Sequence, residues 1–222
     1  MKRNLPLLII AGVLVGAFVV GVLLYRAMKP APDKTQNNPA SMAAPGAEPP
    51  HTRGVANAPV LLEEFGDFEC PPCGQLYPVL KEIERDYGER LRVDFRQNPL
   101  VTMHKHAYDA ARAAEAAGMQ GKFWEMHDML YEKQSVWTVA PDPRSEFQNY
   151  ARALNLNEDT FMRDLVGEMA STRVALDLRR GKSLGVLGTP TVFINNRQLK
   201  AEEMTQDGIH KAIEAALKEK GL

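Results

Sequence analysis

The only two cysteines of the chain, Cys70 and Cys73, stand in the run Phe68-Glu69-Cys70-Pro71-Pro72-Cys73-Gly74. Chance would place two cysteines at this spacing in about 1% of chains of this length. Their surroundings narrow the fold further. Val60-Leu61-Leu62-Glu63-Glu64-Phe65 has the apolar, strand-forming content of a β-strand. Residues 71–88 then repeat Leu76, Val79, Leu80, Ile83 and Tyr87 at helical spacing. A cysteine pair that leaves a strand and opens a helix is the setting of functional dithiol chemistry.

The physical reasons are local. With Cys70 as N-cap, its sulfur lies at the positive end of the helix dipole, beside backbone N–H groups that lack intrahelical partners. That environment favours thiolate, which is both the attacking form and the better leaving group. Cys73, one turn on, is placed to open or close an internal disulfide. Pro71 and Pro72 suit the first helical turn but remove two donors, so the N–H of Cys73 is the one left in place. Competing uses of the pair are weaker. A disulfide closing so short a loop constrains little chain. A zinc or copper site completed by His104 and His106 would lack further ligands, and two cysteines cannot build a four-thiolate zinc centre or a disulfide-dense scaffold. The chemistry expected here needs no metal and no soluble cofactor.

The rest of the chain supplies an α/β domain. Leu91-Arg92-Val93-Asp94-Phe95-Arg96 reads as a second strand. Helices are expected over the alanine-rich stretch 107–117, around Phe123 to Leu130, over 144–154, and from 158 towards Arg180 behind an Asn157 cap. Thr191-Val192-Phe193-Ile194 returns to strand, Asn195-Asn196 suits a hairpin turn into Arg197-Gln198-Leu199, and a last helix covers about 205–219. Trp124, Trp137 and the methionines at helical spacing read as core or groove-lining residues. On strand parity Glu64 shares a face with Val60 and Leu62, while Glu63 points the other way. One of these two glutamates must then face the less polar side, where desolvation raises its pKa. A solvated edge strand that exposes both is the alternative.

Ahead of this domain the chain changes character. After a short tail, residues 1–4, the segment 5–25 has no charge and is long enough, as a helix of about 30 Å, to cross a bilayer. It reads as a transmembrane anchor, with a cleaved signal sequence as the alternative. Residues 26–55 are rich in proline and alanine without apolar periodicity and read as a linker. Residues 56–222 form the folded domain. The formal charge of −1 gives no support for nucleic-acid binding.

Phe65 to Gly74, together with Gly188-Thr189-Pro190-Thr191, resemble the two signatures of the thioredoxin superfamily. The mid-chain helical block makes the chain most similar to the DsbA-like thiol:disulfide oxidoreductases, including membrane-anchored bacterial members, over about residues 56–220. Gln120-Gly121-Lys122-Phe123-Trp124 is similar to a stretch common in that branch. The resemblance implies a thioredoxin-like fold with a helical insertion at about 102–185. It also implies that Pro190 is a cis-proline against the cysteine pair, and that Thr189, with Pro71 and Pro72, faces substrate. Glu64 matches the buried acid beneath the second cysteine, and could exchange a proton with Cys73. The partners implied are exported polypeptides with thiols or disulfides, and a quinone-linked membrane oxidase. The Pro-Pro dipeptide departs from the Pro-His of the best-known oxidants.

These observations lead to the expectation of a membrane-tethered thiol:disulfide oxidoreductase on the non-cytoplasmic side, where such a pair can turn over as an oxidant. A reductase or isomerase of the same fold is the alternative within this chemistry. Outside it stands a tethered metal- or polypeptide-binding module with silent cysteines. The two missing donors carry a prediction: thiolate absorbance will place the Cys70 pKa above about 4, and a lower value would contradict the argument from Pro71 and Pro72.

Overall fold

Six of the seven residues of strand Val60–Gly66 (β2) are buried, which marks a strand covered on both faces. The computed structural model describes residues 43–222, which form one unit. Strand β2 pairs in parallel with Leu91–Gln97 (β3) and antiparallel with Thr191–Ile194 (β4). His51–Gly54 (β1) closes one edge on β3, and Arg197–Gln198 (β5) the other edge on β4. The sheet is therefore mixed, in the order β1-β3-β2-β4-β5.

Helix Pro71–Tyr87 (α1) connects β2 to β3. Between β3 and β4 the chain inserts Ala107–Met119 (α2), Phe123–Glu132 (α3), Gln134–Trp137 (α4), Arg144–Ala153 (α5), Glu158–Leu165 (α6) and Glu168–Ser183 (α7). Gln206–Glu219 (α8) ends the fold, capped by the Thr205 hydroxyl, which accepts from the N–H of Gly208. The expected α/β fold with a mid-chain helical insertion is thus the one observed. The edge-strand alternative for the two glutamates fails, because β2 is central.

Two cores hold the fold. Val60, Leu62, Val93 and Val192 pack with Leu80 and Ile83 of α1 and with Ile209 and Ile213 of α8. The insertion builds its own core, in which the small side chains of Ala110, Ala113, Ala114 and Ala117 let the aromatic residues Phe123, Trp137, Phe147 and Phe161 close in around α2. Phe68, Cys70, Cys73 and Phe95 belong to this second core. The cysteine pair therefore sits on the seam between insertion and sheet.

On the other face of the sheet, Glu63 meets α7 in a buried ionic cluster. Its Oε1 accepts from Arg96 Nε at 2.8 Å and from Arg180 Nε at 2.7 Å, and its Oε2 accepts from Arg180 Nη2 at 2.8 Å. Asp177 Oδ1 pairs with Arg96 Nη1 at 3.2 Å, while its Oδ2 accepts from the N–H of Gln97 at 3.1 Å. Two guanidinium groups face two carboxylates, so the buried charge balances.

Two expectations change. The linker at 26–55 is corrected: residues 43–55 belong to the folded unit, and β1 is one of its strands. The reason is the ionic cluster, which takes up the backbone of this proline- and alanine-rich stretch. Asp177 Oδ1 accepts from the N–H of Ala47 at 2.8 Å, Arg96 Nη1 donates to the Ala47 carbonyl at 2.8 Å, and Arg180 Nη1 donates to that of Ala44 at 2.9 Å. The long helix from 158 is two helices, because Gly167 takes an extended conformation (φ −73°, ψ 162°) and starts α7 afresh. The tail at 1–4, the anchor at 5–25 and the start of the linker lie outside the described residues. Among the described residues no helix is long and apolar enough to cross a membrane.

Asp177 joins the N-terminal stretch to the sheet, so Asp177→Ala will leave the cluster one carboxylate short and the N–H groups of Ala47 and Gln97 without their acceptor. The expected loss is about 3–5 kcal/mol of stability in urea unfolding, with earlier protease cutting between residues 43 and 50.

Candidate active site

The turn from β2 into α1 is tied down before the cysteines are reached. Asp67 Oδ1 accepts from the N–H of Glu69 at 2.8 Å, and the N–H of Cys70 donates to the Asp67 carbonyl at 3.1 Å. Asp67 Oδ2 accepts from the N–H of Leu100 at 2.8 Å and pairs with Nδ1 of His104 at 2.7 Å. Glu69 Oε2 accepts from the N–H of His106 at 2.5 Å. The acids flanking the cysteine motif thus fasten it to the loop after β3, and His104 serves that anchoring. Among the described residues no three His, Cys, Asp or Glu side chains are grouped to hold a metal ion.

Cys70 is the N-cap of α1, in extended conformation, with Pro71 and Pro72 in the first turn. From the insertion, Gln134 reaches across. Its Nε2 donates to the carbonyls of Phe68 at 2.7 Å and Cys70 at 2.9 Å. Gly74 makes room for this amide, since a Cβ there would stand 2.5 Å from Gln134 Oε1. Nothing in the sequence marks Gln134, which lies more than sixty residues away on a short helix.

Both cysteines are free thiols, Cys70 4% exposed and Cys73 fully buried. Cys70 Sγ lies 3.3 Å from the Thr189 carbonyl oxygen, to which its thiol donates, and the Thr189–Pro190 peptide bond is cis. Pro190 also lines, with Pro72, Leu76 and Met204, a groove of about 240 Å³ beside the cysteines, and Pro71 and Pro72 are both exposed. The structure therefore brings Cys70, Cys73, Pro71, Pro72, Thr189 and Pro190 into one place.

The two sulfurs differ sharply. A hydrogen bond from Cys73 brings the Cys70 thiol down to about 6; burial and the charge of Asp67 oppose this, while the Thr189 side chain and the Cys73 amide assist it. The amide makes no full capping bond to the sulfur, in keeping with a first turn of prolines. Burial pushes the Cys73 thiol well above its ordinary value, helped by the neighbouring Cys70 and Glu64. Glu64 is 3% exposed, and burial, then the charge of Glu84, pushes its carboxyl up to about 8. Its Oε1 has no hydrogen-bond partner. The arrangement offers one thiolate near neutral pH, a second sulfur held as thiol, and beside it a buried acid that keeps its proton.

A family model described as thioredoxin matches residues 47–215. BdbD from Bacillus subtilis, in its oxidised form, superposes with a TM-score of 0.68 at 25% identity, over 79% of this chain and 98% of that one. ScsC from Proteus mirabilis gives 0.66 at 18% identity over 98% and 94%, and alpha-DsbA1 from Wolbachia pipientis gives 0.66 at 19% over 81% and 98%; these two show likeness of fold alone. By sequence, the Na(+)/H(+) antiporter NhaA 1 of Salinispora arenicola is 42% identical over 148 residues, 67% of this chain and 22% of that protein. The antiporter NhaA of Herminiimonas arsenicoxydans is 32% identical over 194 residues, 85% of this chain and 30% of that protein. The chain thus spans less than a third of the length of these curated relatives.

The fold and site define a thioredoxin-like domain with a helical insertion and a dithiol at the start of its first helix. The chain belongs to the thioredoxin family.

Glu64 carries a pH signature. Its folded pKa of about 8 lies above the ordinary 4.5, so between these values the native state holds a proton that the unfolded chain releases. Stability from this group is present below about pH 4.5 and lost as pH rises through about 8. Glu64→Gln will flatten that fall and gain on the order of 3 kcal/mol above it, measured by urea unfolding of the reduced protein across pH.

Proposed function

We propose that the chain is a membrane-tethered thiol:disulfide oxidoreductase that introduces disulfides into exported polypeptides through Cys70 and Cys73. The observation that carries this reading is the inequality of the two sulfurs, an accessible-side thiol near 6 beside a buried one held high. In the cycle, a substrate thiolate attacks Sγ of Cys70 in the oxidised pair. The Cys70–Cys73 bond breaks, and Cys73 takes the electron pair and a proton. A second substrate thiolate then attacks the substrate sulfur of the mixed disulfide, and Cys70 leaves as a stabilised thiolate. Two electrons have passed from substrate to enzyme, and the substrate has gained a disulfide. Thiolate stabilisation of Cys70 favours the reduced enzyme, which makes the oxidised enzyme an oxidant.

Thr189, next to the cis bond, offers backbone groups on which an extended substrate segment can align, and Pro71, Pro72 and Pro190 border its path. The uncharged segment 5–25 supports tethering by a single membrane helix, with residues 56–222 on the non-cytoplasmic side. A membrane-bound, quinone-linked oxidase would then accept the electrons. The proposal assigns no ion transport to this chain: the dithiol site needs none, and the segment shared with the antiporters is under a third of their length.

One observation favours a second reading. A Cys70 thiol near 6 lies closer to the value of about 7 in a reducing thioredoxin than to about 3.5 in a strong oxidant. A reductase or isomerase would use the same site with electrons flowing inward. The equilibrium potential of the full chain in a glutathione series decides between them. A potential above about −200 mV is expected, and one near −270 mV would overturn the oxidant reading in favour of the reductase.

A further inference from the structure

Beneath the cysteine pair, where the helical insertion meets the sheet, two buried polar groups lack hydrogen-bond partners. Glu64 and Gly66 lie on the same face of β2. Over Gly66 stands the hydroxyl of Tyr131, from α3: a Cβ at Gly66 would lie 2.8 Å from that oxygen and would collide with the ring of Phe95. The missing side chain at 66 is therefore what admits the phenol to this depth. The Tyr131 ring is held by Phe68, Tyr77 and His127, with centroids 5.0, 5.4 and 5.0 Å away. Phe68 and Cys73 share its core.

Yet the Tyr131 hydroxyl has no hydrogen-bond partner, and neither has Oε1 of Glu64. Each unpaired buried group costs about 1–3 kcal/mol. A ring needs no hydroxyl to fill this core, so packing alone does not explain one. The charges of Cys73 and Cys70 at the start of α1, Glu64 on β2 and Asp67 in the turn between them act on the phenol, and the His127 ring on its own helix packs against it. Glu84, on α1, acts on Glu64. Burial pushes His127 down to about 4 and holds Tyr131 far above its ordinary range, so near neutral pH the histidine carries no charge and the phenol keeps its proton.

We propose that Tyr131 is a positioning residue for the proton exchanged between Glu64 and Cys73, donating a hydrogen bond to whichever of the two bears the negative charge. The inference rests on the exchange chemistry proposed for Cys70 and Cys73. When the disulfide opens, Cys73 leaves with the electron pair, Glu64 gives it a proton, and the carboxylate left behind accepts from the phenol. When Cys73 attacks a mixed disulfide on Cys70, Glu64 takes the proton back and the developing thiolate accepts from the same hydroxyl. The phenol keeps its own proton throughout. A donor unpaired in the resting dithiol is then paired at the step that needs it.

The test is Tyr131→Phe in the full-length protein, with glutathione as the probe. The substitution removes an oxygen that holds no hydrogen bond, so thermal unfolding will be unchanged or raised. The rate at which Cys73 resolves the mixed disulfide between Cys70 and glutathione, followed by rapid quench across pH, will fall about tenfold near neutrality. Its rising limb will move to higher pH by about one unit, while the Cys70 thiolate titration stays in place. An unmoved pH profile in Tyr131→Phe would overturn the proposal and leave the ring as packing. Cys70→Ser separates that outcome from failure of the underlying reading: exchange that survives this variant sinks the dithiol chemistry itself.

Discussion

Everything at this site depends on how unequally two neighbouring sulfurs are taken out of water. Cys73 sits at zero exposure over a sheet face that also holds Glu64, and an ion there finds no solvent. Cys70, one turn earlier, has the helix start, the Cys73 thiol and Thr189 to stabilise a charge. Desolvation acting on one sulfur and hydrogen bonding acting on the other separate two chemically identical groups by role. One side chain becomes the point of attack, and the other becomes the resolving group with a neutral acid for company.

Such a separation survives only if the backbone around it cannot relax. The motif is fastened at both ends of its turn, by Asp67 and Glu69 to the loop after β3 and by Gln134 to the carbonyls of Phe68 and Cys70. Gln134 and Tyr131 both come from the helical insertion, so the insertion supplies one wall of the site as well as a lid over the sheet. On the far face, the Glu63–Arg96–Asp177–Arg180 cluster keeps α7 and the residues before β1 in register with the central strands. The two adjacent glutamates of β2 thus serve opposite ends. Glu63 is paired with two arginines, whereas Glu64 is isolated and held neutral near pH 7.

Much of this frame was legible in the sequence because it is local. Apolar content marks β2 and β3, helical spacing marks α1, and Asn195-Asn196 takes positive φ at 45° and 70°, as a tight hairpin turn requires. Asn157 caps α6 through Oδ1 and the N–H of Thr160. Two boundaries were not legible. Residues 43–55 have the composition of a linker and are ordered by arginines far along the chain. The break at Gly167 interrupts a periodicity that continues on both sides. In both cases the deciding contact is distant, and no local pattern records it.

The sequence by itself determined that a cysteine pair would open a helix behind a strand, and that prolines in the first turn would leave the thiolate few donors, because capping and proline geometry act within a few residues. Only the tertiary structure decided which glutamate is neutral, that Gln134 and Tyr131 reach the site, and that Thr189 lies against Cys70. Those outcomes are set by burial and by contacts across 60 to 120 residues of chain, as between Gln134 and Cys70 or between Cys70 and Thr189. Desolvation depends on everything that surrounds a group, and that is known only once the chain has folded.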